Sequence, residues 1–253
     1  METFEKQPDF EQKMELERAR RDVLELRKPT EKILEQISPL LESGEIQLII
    51  GDDASGRIPT AIFRKIFDMA YKERGFVTPE TRFLSGSRHL QGEAKIEKKK
   101  KIAEYLEGIK GDIKKKFGRP LDKALIVTDM IGTGHSLDPL VEVLSEMGVS
   151  TEVASIGTTK NEKEMNETGN QWRVPLYLGM DYVPDIYEKQ KLSGVIKEEE
   201  ELFAETYKNK WRMSGTEKGE KVQDQINKAR EISDTIAVDV YEKWKTAQQD
   251  DKK

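Results

Sequence analysis

The apolar positions of this chain follow two rhythms. From Phe10 to Arg27, Met14, Leu16, Val23 and Leu24 or Leu26 are spaced among charges, and Pro29 closes the pattern, which predicts an N-terminal helix. A second helix is expected from Thr30, as its N-cap, through Ile33, Leu34 and Ile37, bending at Pro39 and ending near Gly44. The rhythm then shortens. Compact apolar runs at Ile46 to Gly51, Thr81 to Leu84, "KALIVTD", "TEVASIGT" and Val174 to Asp181 predict buried strands. Helical spacing returns between them: Ile58, Ile62, Ile66 and Met69 or Ala70 share one face, Glu93 to Phe117 is Lys-rich, and "LDPLVEVLSEMG" stops at Gly148. Beyond Leu192 the chain turns very polar, with helical segments expected over 197–210 and 219–245.

Strands alternating with helices of this length predict an α/β fold, a mostly parallel sheet flanked by helices. The organisation expected is a helical N-terminal extension (1–44), a core (45–197) and a helical C-terminal appendage (198–253). Such sheets bind ligands outside the carboxyl ends of their strands. Two loops of unusual content, "GDDASGRIP" and "TDMIGTGHS", fall at those ends.

Composition narrows the function classes. The chain has 253 residues, 36% hydrophobic and 36% charged, with a net charge of -5. That balance lacks the basic footprint of a nucleic-acid binder. With no cysteine, thiol nucleophiles, disulfides and thiolate metal sites are excluded, which fits a reducing, cytoplasmic setting. The acid-rich start "METFEKQPDFEQ" is no signal peptide, and no apolar run is long enough to span a membrane.

The stretch "ALIVTDMIGTGHSL" carries the chemistry. A strand ends in Asp129, and Gly132, Thr133, Gly134, His135 and Ser136 follow before the next helix. Small residues let consecutive backbone N–H groups converge on a phosphate, hydroxyls add donors, and the following helix adds its dipole. Asp129, placed just before this cradle, suits vicinal sugar hydroxyls. The plainer alternative is a strand-to-helix turn with Ser136 as N-cap. A serine-hydrolase elbow is disfavoured because Asp138 stands where its second Gly belongs.

Together the strand, acid and small hydroxyl-rich loop resemble the phosphoribosyl-pyrophosphate (PRPP) motif of the type I phosphoribosyltransferases. Residues Val127 to Ser136 carry it, and the likeness extends over roughly Glu45 to Lys197. The resemblance implies a type I phosphoribosyltransferase-like core that transfers phosphoribose from PRPP to a nitrogen acceptor, a nucleobase or a related compound, and releases pyrophosphate. It implies Asp129 at the ribose as the principal catalytic position, with Thr128 and Gly132 to Ser136 around the ribose 5-phosphate. Ala54, Ser55, Gly56 and Arg57 would hold pyrophosphate. Arg88, Tyr182 and Asp185 are candidates for the acceptor pocket or lid.

Mg²⁺ is the implied cofactor, with Asp52 and Asp53 as candidate contacts. Thr128 replaces the first acid of the usual pair, and Gly132 occupies a place where purine-specific members put an Asp. The other reading is a non-catalytic PRPP- or nucleotide-sensing protein on the same fold. The terminal helices are candidates for a homodimer or partner interface. The Lys98–Lys101 run reads either as part of a lid or as a solvated helix face balanced by acids, and Trp172, Trp211 and Trp244 read as packing anchors.

Overall fold

The computed structural model describes residues 23–52, 56–86, 92–159, 162–180 and 217–250. Its elements run α1 (Arg27–Gln36), α2 (Ser38–Ser43), β1 (Leu48–Asp52), α3 (Arg57–Glu73), β2 (Glu80–Leu84) and α4 (Gly92–Phe117). They continue with β3 (Lys123–Ile131), α5 (Asp138–Glu146), β4 (Ser150–Thr158), α6 (Glu162–Trp172), β5 (Leu176–Met180) and α7 (Glu217–Asp250). The five strands form one parallel sheet in the order β2-β1-β3-β4-β5. The chain therefore has the α/β architecture expected, with every described strand parallel to its neighbours.

Alternation along the strands divides the core between two faces. Ile49, Leu125, Val127, Ala154 and Ile156 join one cluster with α1, α2, α3 and α7. Leu48, Ile50, Ala124, Ile126 and Val153 join the other with α4 and α5. Because both faces are covered, the strands read as near-continuous apolar runs.

Local details differ from the sequence expectations in several places. Helix α1 starts at Arg27, so Pro29 sits in its first turn, where a missing N–H costs nothing, and Thr30 is buried within the helix and does not cap it. The break falls at Ile37, with Pro39 in the first turn of α2, and Gly44 ends α2 at φ 67 as a left-handed cap. Strand β1 starts later than expected because the Ile46 amide turns aside to donate to the Tyr71 hydroxyl at 3.0 Å, and Gln47 leads into the sheet, its amide donating to the Lys123 carbonyl of β3 at 3.1 Å.

The C-terminal helix belongs to the first core layer. Ile232, Ile236, Val240, Tyr241 and Trp244 line one face of α7 and are buried with α1 and α3. The Tyr241 hydroxyl donates to Glu73 at 2.9 Å, Lys245 pairs with Glu73 at 2.7 Å, and Arg27 pairs with Asp239. Burial is the leading reason the Tyr241 hydroxyl is held above its ordinary pKa, so it stays protonated as a donor. On the opposite face the lysine run docks α4 on α5. Lys99 reaches Glu142 at 3.0 Å and Glu146 at 2.6 Å, Lys100 and Lys101 face Glu104 and Glu97 one turn away, and Lys98 is fully buried.

At the amino ends of the strands a second polar group ties neighbouring strands together. Glu152, 6% exposed, accepts from the Tyr177 hydroxyl at 2.5 Å and from Lys123 at 3.1 Å. This end of the sheet is a fastening; the loops of interest lie at the other.

Candidate functional site

In the order 2-1-3-4-5, β1 leads outward to β2 and β3 leads the other way to β4, so the carboxyl ends of β1 and β3 flank the point where the sheet reverses direction. Strand β1 ends in Asp52, and β3 passes Thr128 and Asp129 before its end at Ile131. The two loops singled out in the sequence therefore leave adjacent strands. Asp52 and Asp129 are each only 7% exposed, and Thr128 is fully buried.

The Thr128 hydroxyl lies 3.2 Å from Asp52 Oδ2 and 3.4 Å from Asp129 Oδ1. One hydroxyl has one proton, so it donates to only one of these oxygens at full strength. Two nearly buried carboxylates thus converge on a single shared donor. Paired carboxylate oxygens of this kind are ligands that a hard cation or a set of hydroxyl donors takes. Thr128 meets the carboxylates and is closed to solvent, so its contribution to a ligand site is to orient Asp52 and Asp129.

Helix α3 begins directly above this point. The Gly56 amide donates to the Asp52 carbonyl at 2.8 Å and closes the turn. A Cβ on Gly56 would lie 2.6 Å from Asp52 N and 2.7 Å from the Val127 carbonyl oxygen, so only glycine lets the helix come down onto β1 and β3. Arg57 follows as the first helical residue, and its guanidinium sits 4.8 Å above the Phe83 ring of β2. The helix N-terminus and Arg57 bring positive potential to the same end of the sheet as the carboxylates.

The loop after β3 is held from its far side. Gly134 adopts φ 86, and a Cβ there would meet the Trp172 ring at 2.8 Å. The Leu137 amide donates to the Gly134 carbonyl at 2.9 Å. Among the described residues, none accepts a hydrogen bond from the amides of Gly132, Gly134, His135 or Ser136. The N-cap of α5 is Leu137, without a side-chain cap, which removes the reading of Ser136 as a capping residue. Thr133 and His135 are exposed, and Ser136 and Gly132 are half-buried. Gly86, after β2, has no room for a Cβ against the Ser136 carbonyl, so the loops after β2 and β3 touch.

The structure thus brings together Asp52, Gly56, Arg57, Thr128, Asp129 and the loop from Gly132 to Ser136. Asp53, Ala54, Ser55, Arg88, Tyr182 and Asp185 lie outside the described residues. Sequence reasoning missed the cluster that braces the loop: Asp138 accepts from the Trp172 indole at 2.7 Å, and its other oxygen lies 3.1 Å from His135 Nδ1. Helix α6, which carries Trp172, was itself not expected. Its periodicity rests on little more than Met165 and Trp172 in an otherwise polar segment, too sparse to count as an apolar face.

No protein-family model matches the chain, and no match was found among the curated proteins.

Proposed function

We propose that this protein binds PRPP at the crevice between β1 and β3 and transfers its phosphoribosyl group to a nitrogen acceptor. The observation that carries the reading is the convergence of Asp52 and Asp129 on the Thr128 hydroxyl, beside a loop in which the amides of Gly132, Gly134, His135 and Ser136 have no acceptor among the described residues. Asp129 accepts hydrogen bonds from the ribose hydroxyls. The amides of Gly132 to Ser136, with the Thr133 and Ser136 hydroxyls, hold the 5-phosphate through charge-assisted bonds of roughly 1.5–3 kcal/mol each. Gly56 and Arg57, at the start of α3, face the pyrophosphate end.

The departure at Thr128 acquires a physical account in this reading. In place of the first acid of the usual pair, Asp52 offers a carboxylate from across the sheet, and Thr128 holds it toward Asp129. These donors also suit Mg²⁺. Among the described residues no three His, Cys, Asp or Glu side chains form a metal cage, whereas Mg²⁺ characteristically takes one or two carboxylates and completes its shell with water and substrate phosphates. Asp52 and Asp129 would hold it there, and the ion would offset the charge of departing pyrophosphate.

In the transfer, the bond from the anomeric carbon to pyrophosphate breaks and a bond to the acceptor nitrogen forms. The acceptor's proton passes to solvent. This chain's residues contribute orientation of the ribose by Asp129, restraint of the 5-phosphate by the 132–136 loop, and positive potential from α3 toward the leaving group.

One observation favours a second reading, a non-catalytic sensor of PRPP or a nucleotide. With Thr128 buried, Asp129 is the one carboxylate of the motif itself left for the ribose. Asp129→Asn tests both readings by calorimetry. It weakens PRPP binding while phosphate binding stays within about twofold, because the carboxylate serves the ribose. Equal loss of both ligands contradicts the assignment. Pyrophosphate release from PRPP in the wild type, with a nucleobase present, separates transferase from sensor.

A further inference from the structure

We propose that Trp172, acting through Asp138, is the positioning residue of the 132–136 loop, so that α6 sets the geometry of the phosphate-ester site. Three contacts converge on the loop from one direction. The Trp172 ring closes the space beside Gly134, which at φ 86 is in a conformation that side chains strain. Its indole N–H donates to Asp138 Oδ1 at 2.7 Å, a charge-assisted bond to the first residue of α5. Asp138 Oδ2 meets His135 Nδ1 at 3.1 Å, inside the loop itself.

The loop is therefore clamped at Gly134, His135 and Asp138 by one side chain and its partner. The Asp138 side chain is 15% exposed. A carboxylate at a helix N-terminus would otherwise compete with an incoming phosphate for the same dipole. Here the indole draws it toward α6 and away from the amides of Gly132, Gly134, His135 and Ser136.

The end of α6 is shaped to place this ring. Arg173, the next residue, is the one non-glycine with positive φ among the described residues, at 57. The Val174 amide donates back to the Gly169 carbonyl at 3.2 Å. A residue type poorly suited to the left-handed region thus ends the helix directly after Trp172. The left-handed residue and the back-bond together end α6 at Trp172.

The inference rests on the reading of this loop as a phosphate-ester site, and its test separates the two. Amide exchange at Leu137, whose N–H closes the loop onto Gly134, reports positioning without any ligand. In the full chain, Trp172→Phe keeps a ring beside Gly134 but removes the donor. Asp138→Ala removes the acceptor, and Asp138→Asn restores one.

The first two changes accelerate Leu137 exchange about tenfold, the equivalent of ~1.4 kcal/mol, while β1 and β3 amides keep wild-type rates. The double variant is no faster than Asp138→Ala alone, because the indole bond lost in Trp172→Phe is one of the contacts that Asp138→Ala already removes. Asp138→Asn stays near wild type. In calorimetry the first two variants bind ribose 5-phosphate about tenfold more weakly and pyrophosphate within twofold of wild type.

Unchanged Leu137 exchange, or additive effects in the double variant, overturns the proposal. If Trp172→Phe loosens the whole sheet, Asp138→Ala against Asp138→Asn decides, and equal exchange in those two overturns it. If the exchange pattern holds but wild type binds no ribose 5-phosphate, the positioning role stands and the phosphoribosyl reading fails.

Discussion

Replacing Thr128 with valine removes one hydroxyl from a fully buried side chain while keeping its shape. The hydroxyl lies 3.2 and 3.4 Å from the two aspartates, longer than the usual 2.5–3.0 Å of O–H···O bonds. A hydrogen bond to a charged group contributes about 1.5–3 kcal/mol, and these lengths place this one at the lower end. For a protein of this size, a loss of about 1.5 kcal/mol lowers Tm by roughly 3–6 °C. Thr128→Asp destabilises more strongly, by adding a third carboxylate. At about 4 Å and an effective dielectric near 20, each new repulsion costs on the order of 4 kcal/mol, so two of them rival the whole stability of a typical domain, about 5–15 kcal/mol. Urea unfolding of both variants, with and without Mg²⁺, reads these terms. The valine variant unfolds at slightly lower urea, and the aspartate variant is folded only when Mg²⁺ is supplied. A valine variant as stable as wild type, or an aspartate variant indifferent to Mg²⁺, would show that the two carboxylates do not converge as described.

Two further perturbations probe the frame around the site. Gly56→Ala drives a methyl against Asp52 N and the Val127 carbonyl, backbone atoms that cannot move alone; it destabilises by about 1–3 kcal/mol, measured by urea unfolding, and wild-type stability would mean that α3 does not rest on β1 and β3. Glu80 is held below its ordinary pKa of 4.5, first by the hydrogen bond from Lys116. Its contribution is present above that value and lost as pH falls through the lower folded one. Glu80→Gln is therefore less stable than wild type at pH 7 by under ~1 kcal/mol, as befits a partly exposed pair, and the difference closes toward pH 3. A difference independent of pH would contradict the ion pair.

The sheet was legible because its strands are buried on both faces and stand out as apolar runs. "KALIVTD" needs no partner to be read as a strand, and Ile58, Ile62 and Ile66 fix the helical face of α3. The register of β1 was not legible, since the hydroxyl of Tyr71, 25 residues away, takes the Ile46 amide. The role of α7 was hidden by averaging. Ile232, Ile236 and Val240 form a stripe, but the surrounding charge makes the segment polar as a whole, as for any helix that covers a core from outside. At the site, the sequence showed Asp129 and the glycine-rich loop. It did not show that Thr128 bonds to the carboxylate of Asp52, because the register of two parallel strands pairs residues with no local signal. Nor did it show that Gly134 is glycine partly to accommodate Trp172. For that reason Gly134→Val would disrupt packing before it tested ligand approach, and substitutions at Asp129 are the cleaner probe.

The most direct test of the central claim is thermal unfolding of the full chain with PRPP and Mg²⁺, compared with ribose 5-phosphate, pyrophosphate and phosphate alone. At a hundredfold excess over its Kd, a specific ligand adds about 2.7 kcal/mol of stability. The account predicts a Mg²⁺-dependent rise in Tm with PRPP that exceeds the rise with any fragment and is lost in Asp129→Asn. No response to any of the four ligands would contradict it.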